Sequence, residues 1–139
     1  MNRNINIYCD TAKDIIPNID NINISKITDI INFSVDYIYC GILEHIESDH
    51  LIRIFNELSD KIRIGGKLII KFSDIKELSN RYISNTIDDS TFISCVKNKK
   101  QIISLNSIYP IIDTNSFRII KVDRIDMTIN ITLERIALL

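Results

Sequence analysis

The sequence predicts an α/β domain: a mostly parallel sheet covered by helices and completed by an antiparallel hairpin. Three observations carry this. Strand-like and helix-like stretches alternate through residues 35–83, the pattern of a parallel sheet with crossover helices. Leu51, Ile54, Phe55, Leu58 and Ile62 fall at three- and four-residue spacing, which makes one apolar helical stripe. The last twenty or so residues hold two alternating runs split by a tight turn. At 139 residues the chain suits one domain, 1–139, and 45% apolar content can fill a sizeable core.

Each element follows in order. "NINIYC" (Asn4–Cys9) alternates polar and apolar residues and reads as a strand. After Pro17 and several Asn residues, Ile19–Ile24 reads as a short second strand. "KITDIINFS" (residues 26–34) stays open between short strand and loop. "VDYIYC" (Val35–Cys40), β-branched and aromatic, is a strand. Ser48 is placed to cap a helix through "DHLIRIFNELSDKIRI", with Asp49 in its first turn and Lys61 and Arg63 near its end, as the helix dipole favours. Gly65-Gly66 reads as the stop of that helix. "KLIIKF" (Lys67–Phe72) is a buried strand, and Asp74–Ile83 a short helix. Residues 84–101 are the least structured, with a helical turn or two. Residues 104–116 hold a short helix, where Pro110 is tolerated only in the first turn. "FRIIKVDRID" and "TINITLERIAL" form the hairpin, turning at Asp126-Met127.

Composition narrows the function classes. A net charge of −1 argues against nucleic-acid binding driven by bulk charge and against a polybasic membrane surface. No apolar run reaches membrane-span length and no signal peptide is visible, so a cytoplasmic protein is expected. Cys9, Cys40 and Cys95 lack metal-ligand spacing and read as free thiols; no metal site is expected. About a quarter of the residues are Ile, and Asn and Lys abound. Codon bias in an AT-rich genome, such as a virus or a small-genome organism, accounts for that without any chemistry.

"SVDYIYCGILEHI…LIRIFNELSDKIRIGGKLIIKFSDIKEL" resembles the middle of class I S-adenosylmethionine-dependent methyltransferases of the small, type-11-like kind. Asp36 leads the strand as in that family. Leu43-Glu44-His45 matches its "LEH" motif, Ile62–Gly66 its Gly-Gly turn, and Phe72–Asp74 the end of the next strand. The tail from Asn115 is similar to the family's final hairpin, so the resemblance spans most of the chain. It implies a reduced Rossmann-like methyltransferase fold, with the opening strand and the Val35–Cys40 strand adjacent at the centre. It also implies a cofactor, S-adenosylmethionine, at their carboxyl ends.

The first motif departs from that pattern. Where the family has "LNLGCG" and "GYINVD", this chain has "INIYCDTAKDIIPNIDNIN". Tyr8 and Asp10 stand at glycine positions, and Asn23 at the acidic residue that holds the ribose. The only glycines are Gly41, Gly65 and Gly66. A glycine there lets the backbone approach a ligand and adopt positive φ. A tyrosine fills that space, Asp10 sets a carboxylate against the cofactor's own, and Asn23 lacks a bidentate acceptor. The resemblance therefore implies Tyr8, Cys9, Asp10, Asn23, Cys40 and Gly41 as cofactor contacts, with binding weakened or lost.

Glu44 and His45 are the candidate catalytic pair, beside the cofactor and acceptor cleft. The plainer reading has His45 satisfying backbone groups at a helix start and Glu44 capping it. Gly41 reads as a turn glycine, Asp10 as an Asx turn, "KNKK" (Lys97–Lys100) as a solvated run, and the tyrosines as core or rim residues. Three functions follow: a degenerate methyltransferase-like protein acting as a non-catalytic or partner-dependent subunit, a working small methyltransferase, or an unrelated α/β binding module. Few covering helices predict exposed apolar surface, hence a homo-oligomer or a methyltransferase partner subunit; membrane and nucleic acid are not expected partners.

Overall fold

Six strands run in the order β2-β1-β3-β4-β6-β5 through one sheet. The structure, a computed structural model, describes residues 2–138. The strands are β1 (Asn4–Tyr8), β2 (Asp20–Asn23), β3 (Val35–Cys40), β4 (Ile62–Ser73), β5 (Phe117–Ile125) and β6 (Thr128–Arg135). β1 pairs in parallel with β2 and β3, and β3 with β4. β6 is antiparallel to both β4 and β5. The expected adjacency of the opening strand and Val35–Cys40 is present, and so is the terminal hairpin, with Asp126 in the left-handed region (φ 55) at its turn.

Helices α1 (Leu51–Lys61), α2 (Ile75–Ile83), α3 (Asp89–Val96) and α4 (Leu105–Ile108) complete the domain, with 3-10 turns at Ile24–Asp29, Leu43–His45, Ser48–His50 and Tyr109–Ile111. The open segment 26–34 is thus no strand. Asn23 caps the 3-10 turn by accepting from the Ser25 amide at 3.0 Å, and Ile27 anchors it in the core. α2 begins where expected, capped by the Asp74 carboxylate accepting from the Glu77 amide. Pro110 sits in the first turn of the Tyr109–Ile111 segment, where its missing N–H costs nothing.

Two boundaries differ from expectation. Ser48 opens a 3-10 turn and does not cap α1, which starts three residues later without a side-chain cap. The helix also stops at Lys61, so Gly65-Gly66 lies inside β4. Val35 pairs with Ile62 but Tyr37 with Lys67, so residues 63–66 bulge out of the ladder. Gly65 has φ +79, and a Cβ on Gly66 would meet the Ile62 Cγ2 at 2.9 Å and the Val35 carbonyl oxygen at 2.9 Å. Both glycines serve the bulge. Asp36, also beside it, accepts from the Arg3 amide and from Arg63 Nε, which ties the start of β1 to the bulge.

Burial is one-sided. Ile5, Ile7, Ile38, Cys40, Leu68, Ile70, Ile131 and Leu133 share one face and are almost fully buried with the α1 stripe. Alternate residues, Tyr37, Tyr39, Ile69 and Thr132, point to the other face and stay partly exposed. Right-handed crossovers place the β2–β3, β3–β4 and β4–β5 connections on the first face. Only the β1–β2 connection crosses the second, and among the described residues it contains no helix. This is a two-layer domain, whereas parallel sheets are ordinarily covered on both sides.

Candidate functional site

The carboxyl ends of β1, β2 and β3 gather every predicted site residue, in two groups. At the end of β1 the chain closes on itself at once. The Cys9 amide donates to the Ala12 carbonyl at 3.3 Å and the Ala12 amide to the Cys9 carbonyl at 3.1 Å. Asp10 and Thr11 are therefore the tip of a tight turn. Asn23 Nδ2 donates to Asp10 Oδ1 at 3.1 Å while its Oδ1 caps the following 3-10 turn. Both ends of the Asn23 amide are thus engaged within the chain. Asp10, expected as an Asx turn, accepts instead from the Asn23 side chain of the next strand. Tyr8 and Asn23 share an open concavity of about 430 Å³ with Asn21, Lys26 and Asp29. Cys9, Asp10, Cys40 and Gly41 do not line it.

Cys9 and Cys40 are buried on the core face, so neither thiol is presented to solvent. Burial pushes the Cys40 thiol up to about 12, and nearby Cys9 adds to the shift. Gly41 corrects its expected role as a turn glycine: its φ is not positive, and a Cβ there would meet nothing within 4 Å. The fold makes no steric demand for glycine at this point, and space lies open beside the ends of β1 and β3.

The second group centres on Glu44. Its carboxylate is buried, accepting from the Ser73 amide and, at 3.3 Å, from the Ser73 hydroxyl. Lys99 Nζ lies 3.0 Å from the other oxygen and also donates to Ser73 Oγ. The Glu44 carbonyl accepts from the Lys100 amide at 2.7 Å, and Gln101 Nε2 donates to the Leu43 and Ile46 carbonyls. His45 Nδ1 stands 3.0 Å from the Asn98 carbonyl, so the nitrogen carries the proton and donates. Asn98, at φ 63, turns the chain so that Lys99 points inward. Beside the cluster lies a cavity of about 330 Å³ walled by Ile75, Val96, Ile102 and Ile103, the size and lining of a small-molecule site.

Sequence reasoning missed Ser73, Lys99 and Gln101. The "KNKK" run looked solvated, but Lys99 is largely buried by its pairing with Glu44. No local signal could have found it, because its partners lie 26 and 55 residues away in the chain. His45 engages a backbone carbonyl, as the plainer reading had it, and Glu44 holds a side-chain cluster rather than a helix end. Among the described residues no three His, Cys, Asp or Glu side chains converge as a metal site would need.

Neither a family model nor a curated protein sequence matches this chain. Solved structures do. A SAM-dependent methyltransferase from Archaeoglobus fulgidus is 12% identical over 96% of this chain and 86% of that one, with a TM-score of 0.65. An S-adenosylmethionine-dependent methyltransferase from Mesorhizobium loti is 12% identical over 96% and 90%, with a TM-score of 0.63. One from Clostridium acetobutylicum is 12% identical over 96% and 84%, with a TM-score of 0.60. At such identities the likeness concerns the fold. The sheet order agrees with that fold.

Proposed function

We propose that this chain, which has the class I S-adenosylmethionine-dependent methyltransferase fold, is a methyltransferase-like protein with weakened or lost cofactor binding, acting as a non-catalytic or partner-dependent subunit. One observation carries the reading: the Asp10–Thr11 turn closes over the end of β1, with Asn23 bonded to Asp10. A glycine loop would leave room for the cofactor's methionine portion there. Here the backbone folds back on itself, and the Asp10 carboxylate would oppose the carboxylate of the incoming ligand. Asn23 must break two hydrogen bonds, to Asp10 and the Ser25 amide, before its whole amide can reach a ribose. The residues present do not fit the cofactor, and no chemical step is routed through it.

A second reading, a working small methyltransferase, is favoured by the cavity beside Glu44 and the open space at Gly41. Calorimetric titration with S-adenosylmethionine and S-adenosylhomocysteine separates the two. Absent or millimolar binding supports the first reading; micromolar binding supports the second.

A further inference from the structure

We propose that the cavity beside Glu44 binds a small apolar carboxylic acid, with its hydrocarbon body against the isoleucine and valine walls and its carboxylate on Lys99 and Lys100. Such a ligand gives the second reading above its substrate class and rests on that reading for its purpose. Binding itself needs no cofactor, so its test and the cofactor titration can fail separately.

The fold builds this cavity from segments far apart in the chain. Ser73 comes from the end of β4, Ile75 from the start of α2, Val96 from the last turn of α3, and Lys99 to Ile103 from the stretch that follows. The buried Glu44 carboxylate ties Ser73 to Lys99 and so holds these walls together. The volume, about 330 Å³, lies at the low end for small-molecule sites, roughly 300–1,000 Å³. Ile103 is buried, but Ile102 is 68% exposed beside the concave space. A ligand with an apolar body would take that surface out of water.

The polar groups then choose the ligand, because most of them are already engaged. Both Glu44 oxygens accept, one from the Ser73 amide and the other from Lys99 and the Ser73 hydroxyl. Gln101 Nε2 donates to the Leu43 and Ile46 carbonyls and so uses both its N–H groups. Lys99 differs. An ammonium has three donors, and Glu44 and Ser73 take two of them. The third remains on a side chain only 18% exposed. Lys100 also lines the cavity, with its side chain 46% exposed. Its 3.5 Å pairing with Glu47 is a surface contact of the kind that contributes little, so it is free to turn toward a ligand. Two ammoniums and one carboxylate line the space, which leaves a positive charge over.

That balance disfavours the other ligand classes. A cation would meet two ammoniums, with Glu44 already paired. A phosphate would bring a second negative charge against isoleucine walls and toward the buried Glu44 carboxylate. A neutral apolar molecule would cover the walls but leave the third Lys99 donor without a partner. A monocarboxylate brings one charge, acceptors for both lysines, and a body to cover Ile102. Lys99 then bridges two carboxylates, and Lys100 offsets the added charge.

The test is calorimetric titration of the purified chain at neutral pH. The probes are hexanoate and phenylacetate, set against hexanamide, phenylacetamide and hexylammonium, with two-dimensional NMR of the backbone amides to locate the site. The expected result is sub-millimolar binding of the acids, amides at least about tenfold weaker, and no binding of hexylammonium. Shifts should centre on Ser73 and residues 96–103. Lys100→Gln changes a half-exposed side chain and retains the fold, which circular dichroism checks. It should weaken the acids at least about threefold and leave the amides unchanged. Absence of acid binding into the millimolar range overturns the proposal. So do equal affinities for acids and amides, shifts centred elsewhere, or acid binding unchanged in Lys100→Gln.

Discussion

Replacing Gly66 with alanine should destabilise the protein strongly, while replacing Gly41 should not. The structure supplies both magnitudes. An alanine Cβ at Gly66 would stand 2.9 Å from the Val35 carbonyl oxygen, 2.9 Å from Ile62 Cγ2 and 3.0 Å from the Arg63 carbonyl oxygen. Two of these atoms are backbone, and Ile62 is fully buried, so none can swing aside. Overpacking typically costs about 1–3 kcal/mol, and immobile backbone neighbours put this case near 2–3 kcal/mol. For a chain of this size roughly 4 °C of melting temperature follows each kcal/mol, so Gly66→Ala should melt about 8–12 °C early. A Cβ at Gly41 meets nothing within 4 Å, so Gly41→Ala should stay within about 0.5 kcal/mol, or 2 °C, of wild type. Circular-dichroism melts at one protein concentration measure both. Equal losses in the two variants, or an unshifted Gly66→Ala, would refute the bulge geometry. A stable Gly41→Ala is then a clean probe of whether any ligand uses the space beside it.

Lys99→Met should cost about 1–3 kcal/mol in urea unfolding, because it leaves the buried Glu44 carboxylate with only Ser73 as donor. A loss below about 0.5 kcal/mol would return Lys99 to the solvated surface. Asp36 titrates below the ordinary aspartate value, chiefly through the Arg3 amide and then Arg63. A carboxylate depressed in the folded state adds stability above its unfolded value, about pH 4, and loses it as pH falls through the folded value. The stability gap between wild type and Asp36→Asn should therefore be full at neutral pH and close below about pH 4. A gap independent of pH would contradict that account.

The fold was legible where local chemistry decides it. Alternation marked β1 and the β5–β6 hairpin, β-branched and aromatic residues marked β3, and the Leu51–Leu58 stripe marked α1. The short helix read at Asp74–Ile83 is α2, and the structure adds that the Asp74 carboxylate caps it. Legibility failed where one residue type serves two purposes. Gly65-Gly66 looked like a helix stop because glycine ends helices, yet a bulge within a strand needs positive φ and a missing Cβ equally. The candidate site divided in the same way. The departures at Tyr8, Asp10 and Asn23 were visible as residue types, but the Asp10–Asn23 bond and the Lys99–Glu44 pair depend on strands and loops meeting in space. The thin covering of the second face was foreshadowed by the small number of covering helices.

A crystal grown in excess S-adenosylhomocysteine shows whether the end of β1 admits a nucleoside. The expected density has the Asp10–Thr11 turn closed, Asn23 still bonded to Asp10, and no nucleoside against the end of β1. An adenosyl group seated beside Gly41, with Asn23 turned from Asp10 to its ribose, would contradict it.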